Sequence, residues 1–144
     1  MNKIVKVEGL EYFYYNEELY CIIIRDNFIG NSVIFFTEDD TPQQLGYLPH
    51  KKGNMIKPHL HKVLKREIFN TNEVLFIKKG KIKINFYNSE KEFIGSEILE
   101  TGDVIHLSKG GHGFEILEES IMLEVKQGPY LGVNDKEIFI GVEK

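Results

Sequence analysis

The chain has no alanine and no tryptophan among its 144 residues, and only one cysteine. Without alanine, the best helix former is missing, and long helices are not expected. A single thiol, Cys21, excludes an internal disulfide. It sits in the apolar run Cys21-Ile22-Ile23-Ile24 and reads as a buried structural thiol, since no base is visibly placed to make it a nucleophile. Long hydrophobic runs are missing too. That run and Val33-Ile34-Phe35-Phe36 are far too short to span a bilayer. The opening residues, Met1 to Glu8, lack the apolar core of a signal peptide, so a cytoplasmic location is expected. Charge of one sign is nowhere concentrated. The net charge is −4, with Lys and Arg scattered among Asp and Glu, which leaves no stripe for nucleic acid and no polybasic patch for a membrane. There is no phosphate-binding loop, no dinucleotide fingerprint and no serine in a nucleophile-elbow context.

What is present is 42% hydrophobic and 28% charged, an ordinary soluble composition that suits one domain over residues 1–144. β-branched and aromatic residues dominate, and short apolar segments alternate with turn signals. Strands are predicted near 11–15, 19–24, 32–37, 44–48, 54–61, 73–78, 81–87, 93–99, 103–107, 112–117, 120–126 and 137–142, with 62–72 a loop or short helical turn. The clearest unit is a hairpin. Glu73-Val74-Leu75-Phe76-Ile77-Lys78 leads through Lys79-Gly80 into Lys81-Ile82-Lys83-Ile84-Asn85-Phe86-Tyr87, where Ile82, Ile84 and Phe86 share one face. Many short strands without helices predict an all-β fold, two antiparallel sheets packed as a jelly-roll sandwich or barrel. Both faces of 19–24 and 32–37 are apolar, which predicts a homodimer.

The candidate site begins with His59 and His61, one residue apart in Lys57-Pro58-His59-Leu60-His61. On a strand, positions i and i+2 point to one face, so the two imidazoles converge if 54–61 is extended and lines the interior. The plainer reading is two polar strand residues facing solvent. His112, in Gly110-Gly111-His112-Gly113-Phe114, is flanked by glycines that let backbone or ligand come close. A histidine on an apolar face is also often a satisfied core residue. Glu73 shares a face with Leu75 and Ile77, where a carboxylate is costly unless paired or bound to a cation; alternatively it ends a loop and is exposed. Three imidazoles and a carboxylate suit one divalent transition metal (Zn, Fe, Mn or Ni), with no sequence signal for which. His106 reads either as facing the pocket or as lying at the surface, and His50 as solvated. Glu124 and Lys126 alternate with Leu123 and Val125 and read as the solvent face of a strand. Turned inward, they form a charge couple near a sugar or acid ligand, with Tyr130 at the mouth.

The segment from His59 to His112 resembles the cupin superfamily. His59-Leu60-His61 supplies that family's HxH pair, Glu73 its glutamate and Gly80 the glycine seven positions later. Gly102-Asp103 opens the second motif and His112 closes it. The likeness covers roughly residues 54–126. Residues 62–72 intervene between HxH and Glu73, which makes Glu67 a competing carboxylate. Ser108 replaces the usual proline of the second motif, and Ile116 stands where an asparagine is common. The resemblance implies a jelly roll with a metal held by His59, His61, Glu73 and His112. Small cupins of this look include sugar-nucleotide isomerases and epimerases, several of which work without metal. The segment Glu124 to Tyr130 is similar to segments of cupins of polysaccharide biosynthesis and carbohydrate metabolism. The expected function is an isomerase or epimerase acting on a small polar molecule such as a sugar or sugar nucleotide, with His61, His112 and Glu73 catalytic. The alternatives are a metal-dependent oxygenase or lyase, and a non-catalytic module that binds a small ligand.

Overall fold

Strands form where the period-two pattern finds a neighbour to pair with. The computed structural model describes residues 2–143, and its elements are almost all β. In chain order they are β1 (Asn2–Val7), β2 (Leu10–Tyr15), β3 (Glu18–Ile24), β4 (Ile34–Phe35), β5 (Gly46–Tyr47), β6 (Glu73–Lys79), β7 (Lys81–Tyr87), β8 (Phe93–Glu100), β9 (Val104–Leu107), β10 (Gly111–Ile116) and β11 (Ile121–Lys126). Among the described residues there is no α-helix, only a 3-10 turn at Gly132–Asn134. No helix among the described residues is long and apolar enough to cross a membrane.

The strands make a large antiparallel sheet in the order β1-β2-β3-β9-β6-β11, a smaller one in the order β10-β7-β8, and the short pair β4-β5. The two main sheets face each other across one core. Phe13, Cys21, Ile23, Leu75, Ile77, Ile105 and Leu107 come from the large sheet; Ile82, Ile84, Phe86, Ile94 and Leu99 come from the small one. The expected hairpin is β6–β7. Its Gly80 has φ +101°, and an added Cβ would strike Glu119 and Ser120 of the chain beside it. Only glycine meets both conditions without strain. The described strands do not close into a barrel.

Three expectations are corrected. Residues 54–61 form no strand: all eight are exposed and irregular. Residues 137–142 form none either, and instead run as a tail over the small sheet. The N-terminal strand β1 was not predicted; it pairs with β2 at the sheet edge. Its mostly exposed side chains left no face apolar enough to mark it. The ground for a dimer in β3 also changes. Cys21 and Ile23 enter the core and Ile22 is fully buried on the opposite face, so both faces are satisfied within one chain. The segment around Phe36 and Thr37, both buried, lies on that side, and the Gln43 backbone approaches His106 there.

Candidate functional site

Strand register sets which charges turn inward. In the β6–β11 pair, Lys126 lies opposite Glu73, Glu124 opposite Leu75 and Met122 opposite Ile77. Leu75 and Ile77 belong to the core and Met122 packs against it, so Glu73, Glu124 and Lys126 share the inward face. The outward face of the same pair carries Val74 and Phe76 beside Val125 and Leu123. Leu123 is 52% exposed and Val125 62%. The inward face is thus apolar at Leu75, Ile77 and Met122 and charged toward one end, at Glu73, Glu124 and Lys126, while the outward face is apolar. Glu124 and Lys126 line a cavity, the inward of the two readings that alternation leaves open, with Glu124 still exposed to solvent. Departures from binary patterning concentrate at functional sites.

Opposite them, β10 pairs with β7 so that His112 lies against Phe86 and Phe114 against Ile84, which turns both rings inward. His112 Nε2 comes within 3.0 Å of Glu73 Oε2, a contact that bridges the two sheets. Both side chains are mostly buried, at 26% and 15% exposed. The contact with the imidazole holds the Glu73 carboxyl below its usual range; burial opposes this, and the charges of His112, Lys126 and Lys136 support it. Apart from the imidazole, Oε2 is a buried oxygen with no hydrogen-bond partner among the described residues. A cavity of about 610 Å³ opens here along β10, lined among others by Glu73, His112, Glu124, Lys126, Asp135 and Lys136.

The glycines around His112 have a structural cause that sequence reading left open. Gly111 and Gly113 face away from the core, opposite Tyr87 and Asn85 of β7, and the tail lies on them. A Cβ at Gly111 would come 3.2 Å from the Phe139 ring, and one at Gly113 would collide with the Glu143 carboxylate. Tyr87 packs edge-on to Phe139 at 5.1 Å. Its hydroxyl donates to Glu143 Oε2 at 2.7 Å, and Asn85 Nδ2 donates to Oε1 at 3.1 Å. The glycines thus admit the chain's own tail to the outer face, while His112 points the other way.

The structure brings Glu73 and His112 together and does not bring His59 and His61 to them. Those two rings stay near each other, 5.3 Å between centroids, on an exposed stretch where His59 Nδ1 lies 3.0 Å from the Lys57 carbonyl. Glu67 is also exposed and pairs with Lys65. Glu73 Oε2 and His112 Nε2 are donors suited to a cation, but no group of three or more His, Cys, Asp or Glu is placed to hold a metal ion among the described residues. His50 is exposed and His106 fully buried. Cys21 is a free buried thiol pushed far up by burial. The role of Lys126 as a neighbour of Glu73 was missed, although its i+2 spacing from Glu124 was the available signal.

Comparison with protein-family models, curated proteins and solved structures finds no match for this chain.

Proposed function

We propose that this is a cupin-like jelly-roll enzyme that moves a proton on a small polar molecule such as a sugar or sugar nucleotide, in an isomerisation or epimerisation. The observation that carries the reading is the Glu73–His112 contact, made across two sheets at the wall of a cavity. A carboxylate beside an imidazole orients the ring and stabilises its protonated form. The imidazole can then take a proton from a carbon next to the carbonyl of an open-chain or keto sugar, free or nucleotide-linked. The resulting enolate regains a proton at the neighbouring carbon (isomerisation) or on the opposite face of the same carbon (epimerisation), so the molecular formula is kept. The Glu73 and Glu124 carboxylates at the cavity wall supply acceptors for hydroxyl groups. A cytoplasmic, carbohydrate-processing role follows from this reading. The test is a thermal-shift screen with nucleotide sugars and free hexoses, followed by product analysis. A stabilising ligand that is converted by the wild type and not by His112→Ala supports the proposal. A stabilising ligand that is never converted favours the binding-module alternative.

A second reading adds a divalent transition metal, Zn, Fe, Mn or Ni, held by His59, His61, Glu73 and His112. Two observations favour it: Glu73 Oε2 lacks a hydrogen-bond partner beyond the imidazole, and β10 is an edge strand that pairs only with β7 among the described residues. The reading requires the segment 54–61, irregular in the structure, to pair along that edge. In one of its two facings it turns His59 and His61 into the cavity. Elemental analysis of protein purified without added metal tests this. Bound metal that His59→Ala/His61→Ala removes is the expected result; metal content unchanged by that pair excludes the reading. Self-association is proposed on residues 55–69, because Met55, Leu60, Val63 and Phe69 are all at least 90% exposed.

A further inference from the structure

Lys126 is a cation on an inward strand face, and nothing in the proton transfer above uses it. Its register partner is Glu73, yet its Nζ turns to Asp135 Oδ2 at 3.2 Å. Its ammonium also lies 5.9 Å from the centre of the Tyr130 ring. The next residue along the tail, Lys136, lines the same cavity and is close enough for its charge to act on Glu73. Among the other charges around the cavity, the Glu73 and Glu124 carboxylates act on the Lys126 ammonium, and the rest are engaged elsewhere. Lys109 pairs with Glu18, Glu137 with Lys91, and Glu143 with Tyr87 and Asn85. Two lysines therefore face the space beside the Glu73–His112 pair. One is held by a single carboxylate; the other has no ion-pair partner among the described residues.

We infer that Lys126 and Lys136 form an anchor for an anionic substituent of the ligand, a phosphate or a carboxylate, with Asp135 holding Lys126 in place until that anion displaces it. The inference rests on the ligand-site reading of the cavity and adds the class of ligand it takes. A compact ammonium on a flexible stem suits a phosphate or carboxylate as a point charge. The Lys126–Asp135 pair also fixes where a solvated ammonium stands at the cavity wall. The ligand exchanges one anion for another, so the anchor is ready-made and selective for charge.

The test measures binding of three probes to the full chain, glucose 6-phosphate, glucuronate and glucose, the first two carrying their anion at the same end of the sugar. A charge-assisted contact gives the anionic sugars about tenfold tighter binding than glucose. Whichever of phosphate or carboxylate shows that margin identifies the source of the anion. Lys126→Met should erase the margin and leave glucose affinity unchanged. Asp135→Asn, which removes the competing carboxylate, should raise affinity for the anionic sugar by several-fold. If Lys126→Met does not fold, Lys126→Gln and the salt dependence of the wild-type margin replace it; a margin that survives 0.5 M NaCl contradicts the anchor. A margin unchanged by the lysine variants, or a lower anion affinity in Asp135→Asn, overturns the inference while leaving the ligand site intact. Failure of all three probes to bind removes the ligand-site reading itself, and the anchor with it.

Discussion

At the scale of single residues, the least comfortable group is His106. Its ring is 1% exposed on β9, between Ile22 and Val74 of the neighbouring strands. Neither ring nitrogen makes a hydrogen bond of good geometry. Burial lowers its pKa below the ordinary 6.5, and the Gln43 backbone offsets only part of that. The folded state therefore binds fewer protons than the unfolded state as pH drops. The stability that depends on a neutral ring is fully present above about 6.5 and is lost as pH falls through the lower folded value. Urea unfolding at pH 7.5 and 5.5 should show a drop that His106→Leu reduces; an equal drop in both proteins contradicts this account. Arg25 is the opposite case, a charge with every partner in place. Its guanidinium reaches Glu11 at 2.7 Å, Asp103 at 2.9 Å and the Ile98 carbonyl at 2.6 Å. Arg25→Ala leaves Glu11 with only Lys6 and Asp103 with only the Asp26 and Glu100 backbone N–H groups, and should cost about 2 kcal/mol of stability by denaturant titration.

At the scale of elements, the β6–β7 turn and the tail make separate demands on glycine. Gly80→Ala puts a side chain into both a left-handed backbone conformation and the neighbouring chain. It should destabilise the protein by about 1–2 kcal/mol from the backbone alone. Gly113 has no such backbone constraint, so Gly113→Ala acts only through its collision with Glu143. Limited proteolysis should then cut within 135–143 sooner than in the wild type, with the core still folded. The β6–β7 hairpin was fully legible because its period of two, its glycine and its partner lie within fifteen residues. The strand expected at 54–61 has the right alternation, but periodicity says nothing about a partner. Among the described residues no strand pairs with it, so its alternation has nothing to order it. Glu73 and His112 were each singled out, yet their mutual contact depends on how two sheets stack, which no local pattern encodes. The inward turn of Glu124 and Lys126 was hidden for the same reason: alternation gives two faces and leaves open which is inside.

At the scale of the whole molecule, one core between two sheets leaves an edge, a cavity and an apolar arm. Leu60 is 95% and Phe69 90% exposed, a surface that favours association. Light scattering at micromolar concentration should report a dimer, and Leu60→Asp/Phe69→Asp should shift it to monomer; a monomeric wild type contradicts the proposal. The central claim is that Glu73 and His112 act together as an acid–base pair in the cavity. Its most direct test is solvent isotope exchange. The protein is incubated in D₂O with a panel of nucleoside-diphosphate hexoses and keto-hexoses, and carbon-bound deuterium is followed by NMR. The account predicts deuterium uptake next to a carbonyl in at least one compound. It further predicts that Glu73→Gln slows this uptake and His112→Ala reduces it by at least about a hundredfold, the usual worth of a general base. Exchange by the wild type that neither substitution alters, or no exchange with any member of the panel, would contradict it.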